Sequence, residues 1–133
     1  MREILFRGKR IDNGEWVYGY YVTHSNVDRN ILHYISVTTE RGMTFRKYYD
    51  VDSSTVGQYT GLTDKNGKKI FEGDIVSGFF NHEKIVGYIF YGLDASFFIQ
   101  RDGLFGIGLN NASDWLEVIG NIHDNPELLE DKP

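Results

Sequence analysis

The chain contains no cysteine, and this absence removes several kinds of site at once. Disulfides, thiolate zinc sites, iron–sulfur clusters and cysteine nucleophiles all need the missing side chain. The sequence also has only two prolines and no apolar run near the roughly 18–20 residues of a membrane helix. Arg7 interrupts the short apolar run near the N-terminus, so no signal-peptide core forms there. We therefore expect a cytoplasmic protein that makes no contact with a membrane.

The 133 residues, of which 41% are hydrophobic, suffice for one domain with a core that needs no metal or disulfide. Net charge is −5 and is unevenly divided, since residues 1–50 carry eight basic and six acidic side chains while residues 51–133 carry six and thirteen. An acidic majority argues against general affinity for nucleic acid, which depends on neutralising phosphates. A local basic patch remains compatible with this balance.

Fifteen glycines punctuate runs rich in aromatic and β-branched residues, and long stripes with helical spacing are absent. This pattern is typical of short strands joined by tight turns. The sequence therefore predicts a mainly β protein with antiparallel strands at 4–10, 16–22, 31–38, 44–51, 75–80, 85–91, 96–100 and 115–122. The predicted core residues are Leu5 or Phe6, Ile75, Ile89, Phe98, Trp115, Val118 and Leu128.

Three turn signals, Asn13-Gly14, Asn66-Gly67 and Glu72-Gly73, divide the chain. The first predicts a hairpin in an N-terminal β-hairpin region, 1–52. The segment that begins at Gly73, followed by a strand containing Gly87, resembles the opening strands of SH3-like small barrels. We therefore predict a single domain whose residues 53–133 form an SH3-like barrel region.

A short C-terminal helix is predicted at 125–129. Asn125 suits its N-cap, Pro126 its first position and Glu127 the positive end of its dipole.

Several motifs have both a chemical and a structural interpretation, and the structural one is favoured for each. Gly103, Gly106 and Gly108 lack the spacing of a phosphate-binding loop and predict a flexible connection between strands. Asp64-Lys65-Asn66-Gly67 departs from a calcium loop and predicts a turn closed by the aspartate side chain. The four histidines, which show no paired spacing, are His24, His33, His82 and His123. We expect no metal and no cofactor.

Five carboxylates near turns and strand ends are the candidates for acid–base catalysis: Asp64, Glu72, Asp74, Asp114 and Glu117. Acidic residues at turns more often act as solvated caps, and no nucleophile motif such as Gly-x-Ser-x-Gly is present. We therefore favour a non-catalytic protein, with a small enzyme that uses acidic residues as an alternative.

A basic strand facing an aromatic strand forms the candidate interaction surface. The cations lie in the first predicted strand and the rings in the second, with Tyr21 and the charges of Arg41, Arg46 and Lys47 in the same half of the chain. Such a surface can hold phosphates and stack bases, but the same rings also suit a core or a protein interface. The members of the predicted surface are Arg7, Lys9, Arg10, Trp16, Tyr18 and Tyr20.

Several segments along the chain resemble the YopX family: 1–10, 13–19, 56–62, 64–76 and 118–129. They include Val56-Gly57-Gln58-Tyr59-Thr60-Gly61-Leu62 and the closing Gly120-Asn121-Ile122-His123-Asp124-Asn125-Pro126. The resemblance implies an SH3-like β fold and a protein encoded by a bacteriophage or prophage, in the cytosol of its bacterial host. It implies no catalytic residue and no cofactor.

The function favoured by these observations is that of a phage accessory protein whose β domain binds a protein partner. Exposed aromatic rings favour interfaces, and the chain has more rings than a small domain can bury. The same excess predicts self-association into a homo-oligomer. A nucleic-acid-binding module of phage replication or regulation is the alternative.

Overall fold

A computed structural model describes residues 3–38, 46–92, 95–101, 104 and 106–130. Strand accounts for 61% of the structure, far above the roughly 20–25% of ordinary globular proteins, and every strand pairing with a known register is antiparallel. The predicted mainly β, antiparallel class is therefore confirmed. Among the described residues, no helix is long and apolar enough to cross a membrane.

Two compact units, Met1–Tyr59 and Thr60–Pro133, divide the chain. The strands are β1 (Phe6–Arg10), β2 (Trp16–Ser25), β3 (Ile31–Thr38), β4 (Arg46–Thr63), β5 (Lys69–Phe71), β6 (Asp74–Phe80), β7 (Glu83–Tyr91), β8 (Phe97–Gln100), β9 (Ile107–Gly108) and β10 (Glu117–Asn121). One helical turn, α1 (Ala112–Trp115), precedes β10, and a 3₁₀ helix (Pro126–Leu129) follows it.

The first unit is built from β1, β2, β3 and the first part of β4. These strands pair in sequence, and β1 also pairs with β4, so the pairings form a closed cycle. The predicted hairpin between β1 and β2 is confirmed: Gly14 has a φ of 73°, and its N–H donates to the carbonyl of Arg10 at 3.0 Å. Ile35 and Val51 are buried on the inner face. The segment 39–45, which includes Arg41 and the start of the predicted strand at 44–51, lies outside the described residues.

Strand β4 is much longer than the predicted strand at 44–51. Its pairing with β1 changes register between Lys9, opposite Asp52, and Arg7, opposite Gly57. The hydroxyl of Thr55 closes this irregularity, because it accepts from the N–H of Lys9 at 2.8 Å and donates to the carbonyl of Asp52 at 2.6 Å. The polar residues here are typical of a loop in the sequence, but side-chain hydrogen bonds keep them within a bulged strand.

The second unit contains an antiparallel sheet in the order β10-β6-β7-β8-β9, while β5 pairs with β4. As predicted, Ile75 and Ile89 are buried, and Trp115 and Val118 pack partly buried against the core. The prediction was wrong for Leu5, Phe6, Phe98 and Leu128, which are only half-buried. Phe98 lies opposite Phe90, on the face of the sheet that does not carry the core. The core cluster comprises Ile70, Val76, Ile85, Ile89, Ile99, Ile107, Leu109, Ala112 and Leu116.

The C-terminal region differs from the sequence prediction in two ways. The predicted helix at 125–129 is a 3₁₀ turn, and Asn125 makes no side-chain cap. Its side-chain oxygen instead accepts from the N–H of Asn121 at 3.2 Å, in the turn that follows β10. The predicted strand at 115–122 also begins later than expected, because Trp115 ends α1 and β10 begins at Glu117.

Candidate interaction surface

Five of the six residues of the predicted surface share one face of the first unit. Arg7 lies opposite Tyr18 and Lys9 opposite Trp16 in the pairing of β1 with β2. Cross-strand partners point to the same face, and alternation along β2 adds Tyr20. The structure therefore brings together the basic and aromatic strands that the sequence indicated.

Arg10, the sixth residue, points to the opposite face. Its guanidinium donates to both carboxylate oxygens of Asp12, at 3.0 and 2.6 Å, and lies 4.7 Å from the centre of the Tyr49 ring. The hydrogen bond from Arg10 holds the pKa of Asp12 below its usual value. Arg10 therefore belongs to a separate surface.

Trp16 packs against two cations of β1. The Arg7 guanidinium lies 4.6 Å from the Trp16 ring centre, and the Lys9 ammonium lies 5.7 Å from it. Both distances permit cation–π attraction. Arg7 is only 5% exposed, so its guanidinium is shielded from a ligand at the surface.

Two further aromatic residues of this face come from β3 and β4. Tyr34 lies opposite Val22, and Tyr48 lies opposite Ser36. Their rings meet edge to face with centres 6.4 Å apart. Sequence reasoning did not place either tyrosine here, although the alternation Tyr34–Ser36 and Arg46–Tyr48–Asp50 contained the signal.

Ser36 lies at the centre of the group formed by Tyr20, Arg46 and Tyr48. Tyr20 and Tyr48 flank it on the two neighbouring strands, and the residue is only 2% exposed. Arg46 donates to the Ser36 hydroxyl at 3.3 Å while its guanidinium lies 5.3 Å from the Tyr20 ring centre. A small residue at this position leaves room for the larger side chains around it.

The rings stay accessible to solvent. Tyr18, Tyr20 and Tyr48 are 46%, 50% and 56% exposed. We call this surface the tyrosine face; its members are Trp16, Tyr18, Tyr20, Tyr34, Arg46 and Tyr48.

The tyrosine face carries charges of both signs. Asp50 lies opposite Tyr34, and Asp52 lies opposite Lys9, so two exposed carboxylates accompany the cations Arg46 and Lys9. A surface of mixed charge has little net attraction for a polyanion.

Asp64 has a structural place in the second unit. One carboxylate oxygen accepts from the N–H groups of Asn66 and Lys68, both at 2.9 Å, which confirms the predicted aspartate-closed turn. The other accepts from the N–H of Val118 at 2.9 Å. Burial favours the neutral acid, but these hydrogen bonds, led by that of Val118, outweigh it and lower the pKa of Asp64.

The other candidate carboxylates do not converge on one site. Asp74 is buried and accepts from the N–H of Phe71 at 2.8 Å, while Glu117 accepts from the side-chain amide of Asn66 at 3.3 Å. Asp114 is exposed and Glu72 is half-buried. Within the described ranges, no three His, Asp or Glu side chains are arranged to hold a metal ion.

The histidines and the glycine-rich segment are likewise dispersed. His33 shares a hydrogen bond of 2.5 Å with the Tyr21 hydroxyl, and His82 occupies the turn between β6 and β7. His24 is exposed on β2, and His123 follows β10. Of the three glycines, Gly103 lies outside the described residues, Gly106 precedes β9, and Gly108 ends that strand.

The structure thus describes an antiparallel β protein with an exposed aromatic face. A model of the family described as YopX protein matches residues 5–130, and the chain belongs to this family. The solved structure of protein EF1440 from Enterococcus faecalis is similar, with 26% sequence identity, a TM-score of 0.58, and coverage of 98% of this chain and 100% of that one. A comparison with curated proteins gave no match.

Proposed function

We propose that the protein is a non-catalytic module that binds a protein partner through the tyrosine face. The observation that carries this proposal is the group of three half-exposed tyrosines, Tyr18, Tyr20 and Tyr48, on the same face of one sheet as Arg46. Tyrosine, tryptophan and arginine dominate the energetic centres of protein interfaces. Rings held by strands also lose little conformational entropy on binding.

The distribution of charge favours a protein partner over nucleic acid. Arg7 is buried, and Asp50 and Asp52 share the face with the cations. A protein interface accommodates such mixed charge at its rim, whereas a phosphate backbone is repelled by the carboxylates.

Family membership supports a proposal for the cellular setting. We propose a phage or prophage accessory protein that acts in the cytoplasm of a bacterial host, because the chain belongs to the YopX family. For residues 53–133 we propose an SH3-like barrel. The tight turn at Gly73 and the close packing at Gly87, where a Cβ would lie 2.6 Å from the Gln100 carbonyl oxygen, support this assignment.

Site-specific photo-crosslinking in the bacterial host tests the proposed partner binding. A photoreactive phenylalanine analogue replaces Tyr48 in one variant and Tyr91 in a matched control. Tyr91 is a tyrosine of similar exposure, 49%, at the end of β7 in the second unit. We expect a discrete protein adduct from position 48 that survives nuclease treatment and is absent from position 91. Adducts that are identical at both positions, or none at position 48, would contradict the proposal.

Single-stranded nucleic acid is the second candidate, and one observation favours it. Exposed Arg46 lies 5.3 Å from the Tyr20 ring centre on the tyrosine face, and exposed Lys47 lies 5.6 Å from the Tyr49 ring centre on the opposite face. Cations beside rings are the arrangement that single-strand-binding sheets use to hold phosphates and stack bases. Its test is the salt dependence described in the Discussion.

A further inference from the structure

A groove in the second unit lies between the end of the β6–β7 hairpin, β9 and α1. Its volume is about 500 Å³, within the range of about 300–1,000 Å³ for ligand sites. It is separate from the tyrosine face, whose residues all belong to Met1–Tyr59. The residues that line it include Phe79, Phe80, Ile107, Asn111, Asp114 and Trp115.

The Trp115 wall of the groove is held in place by its neighbours. The indole N–H donates to the carbonyl of Asn110 at 3.0 Å. On the other side, a Cβ at Gly78 would lie 2.6 Å from the Trp115 carbonyl oxygen and 2.7 Å from the ring carbon Cε3. Because Gly78 has no side chain, the indole lies directly against β6. The site is therefore organised before anything binds, which lowers the entropy cost of binding.

Phe80 on this wall remains in contact with water. It is 40% exposed, although the core of the unit is close by, whereas Phe79, which is 70% exposed, alternates to the other face of β6 and lies at the rim of the groove. The Phe80 and Trp115 ring centres are 5.7 Å apart. Exposed rings around a concavity are typical of an interaction site.

The charge around the groove selects the kind of occupant. Residues 60–133 carry twelve acidic and six basic side chains, and Asp114 is exposed at the groove. The faces of aromatic rings attract cations, and a neighbouring carboxylate strengthens that attraction. A basic side chain therefore matches both the rings and the charge of this unit.

We infer that the groove binds an arginine-bearing peptide segment of another protein. The guanidinium packs on the rings of Phe80 and Trp115 and pairs with the carboxylate of Asp114, while apolar neighbours in the peptide lie against Phe79 at the rim. This site is independent of the tyrosine face, so a partner that uses both would contact two surfaces of the protein.

Binding of two synthetic peptides to the full chain tests the inference. The first is a capped peptide with leucines on either side of a central arginine, and the second replaces that arginine by citrulline, which has nearly the same shape but no charge. Affinity is measured by calorimetry, and the site is mapped by amide NMR shifts. We expect the arginine peptide to bind about twofold to fivefold more tightly, the effect of one exposed ion pair, with shifts at α1 and the end of β6.

Variants of two wall residues separate the interactions. Asp114→Asn should abolish the preference for arginine over citrulline, whereas Glu130→Gln, which removes one charge from an exposed site of the same unit outside the groove, should leave it intact. Phe80→Leu keeps an apolar wall and removes the ring face. It should weaken the arginine peptide by about twofold to fivefold, the strength of an exposed cation–π interaction.

Three results would overturn the inference. The first is equal affinity for the two peptides, and the second is a set of NMR shifts that maps away from the groove. The third is a change in the sedimentation of the protein alone caused by Asp114→Asn or Phe80→Leu, since that would identify a second copy of this chain as the occupant. None of these results bears on the tyrosine face, so the proposed function is tested separately.

Discussion

The carboxylate of Asp64 accepts a hydrogen bond of 2.9 Å from the backbone N–H of Val118, 54 positions later in the chain. The same side chain closes the turn that contains Asn66 and Gly67. The N–H of Lys65 also donates to the carbonyl of Leu116 at 2.8 Å. Asp64 thus joins its own turn to the start of β10. Its carboxylate, which the sequence made a candidate for acid–base catalysis, has a structural role.

Replacing Asp64 by asparagine should destabilise the protein. The amide keeps the shape of the side chain, but it has one acceptor oxygen where three backbone N–H groups need acceptors. Loss of hydrogen bonds to a charged group should lower the free energy of unfolding by about 2 kcal/mol. Urea unfolding at neutral pH measures the change. The exposed Asp114→Asn is the matched control and should shift the unfolding free energy by less than about 0.5 kcal/mol.

The contribution of Asp64 should also depend on pH. Its pKa in the folded protein lies below the ordinary 3.8, so the unfolded chain binds the proton more readily. The stabilisation is therefore complete above the unfolded value and is lost as the pH falls through the lower folded value. We expect the stability difference between wild type and Asp64→Asn to be constant near neutrality and to narrow below about pH 4. A difference that is unchanged in acid would contradict this assignment.

Replacing His82 by glycine should stabilise the protein. Asn81 and His82 connect β6 to β7 with φ angles of 51° and 67°, as a two-residue turn of type I′ requires. Left-handed backbone is costly for a residue with a Cβ, least so for asparagine, and free for glycine. We expect His82→Gly to raise the free energy of unfolding by about 1 kcal/mol and Asn81→Gly to raise it by less. Thermal and urea unfolding measure both, and a loss of stability in His82→Gly would show that its side chain makes a compensating interaction.

Two turn glycines should differ in their sensitivity to alanine. Gly67 and Gly73 have φ angles of 81° and 92°, as the turn signals predicted. At Gly67 a Cβ would meet nothing within 4 Å. Only the positive φ disfavours alanine there, so Gly67→Ala should lower the free energy of unfolding by about 1 kcal/mol. Gly73 is held on both sides, since its N–H donates to Ile89 at 2.8 Å and its carbonyl accepts from Ile122 at 2.9 Å. We therefore expect the larger loss in unfolding free energy from Gly73→Ala, and unchanged midpoints in both variants would contradict the prediction.

Self-association should depend on the tyrosine face. Half-exposed Tyr20 and Tyr48 leave apolar ring surface in water, which a second copy of the chain can cover. We expect sedimentation velocity to show a species larger than a monomer at micromolar concentrations. Tyr48→Ala should shift it toward the monomer, while Tyr91→Ala should not. A wild-type protein that stays monomeric over this range would count directly against the prediction.

Any binding of single-stranded nucleic acid should be weak and sensitive to salt. Arg46 and Lys47 are the exposed cations beside the rings. Arg46→Ala with Lys47→Ala should therefore flatten the slope of log affinity against log salt by about one for each phosphate that is no longer neutralised. Lys84→Ala, an exposed cation of the second unit, is the control. Tight binding at physiological salt that this double variant abolishes would place nucleic acid ahead of a protein partner.

Arg7 should behave differently from these two exposed cations. Because it is buried against Trp16, Arg7→Ala is expected to reduce stability and to leave the salt slope unchanged. The sequence grouped Arg7, Lys9 and Arg10 as one basic strand. Alternation along that strand places Lys9 and Arg10 on opposite faces, but it does not distinguish buried Arg7 from half-buried Lys9 on the same face. That difference depends on how β1 pairs and packs in the folded unit.

Local sequence determined most of the strands, the glycine turns and the class of the fold, because Asn13-Gly14 and Asn66-Gly67 supply a glycine where the turn needs a positive φ. Only the tertiary structure decided that Tyr34, Arg46 and Tyr48 join Tyr20 around Ser36, because register between strands distant in the chain selects which alternate residues share a face. It also decided that 52–56 remain within β4, since the hydroxyl of Thr55 bonds to Lys9 of another strand. The pairing of strands that are distant in the chain leaves no pattern in either strand's own sequence. The tyrosine face depends on such pairings, so the sequence alone did not reveal it.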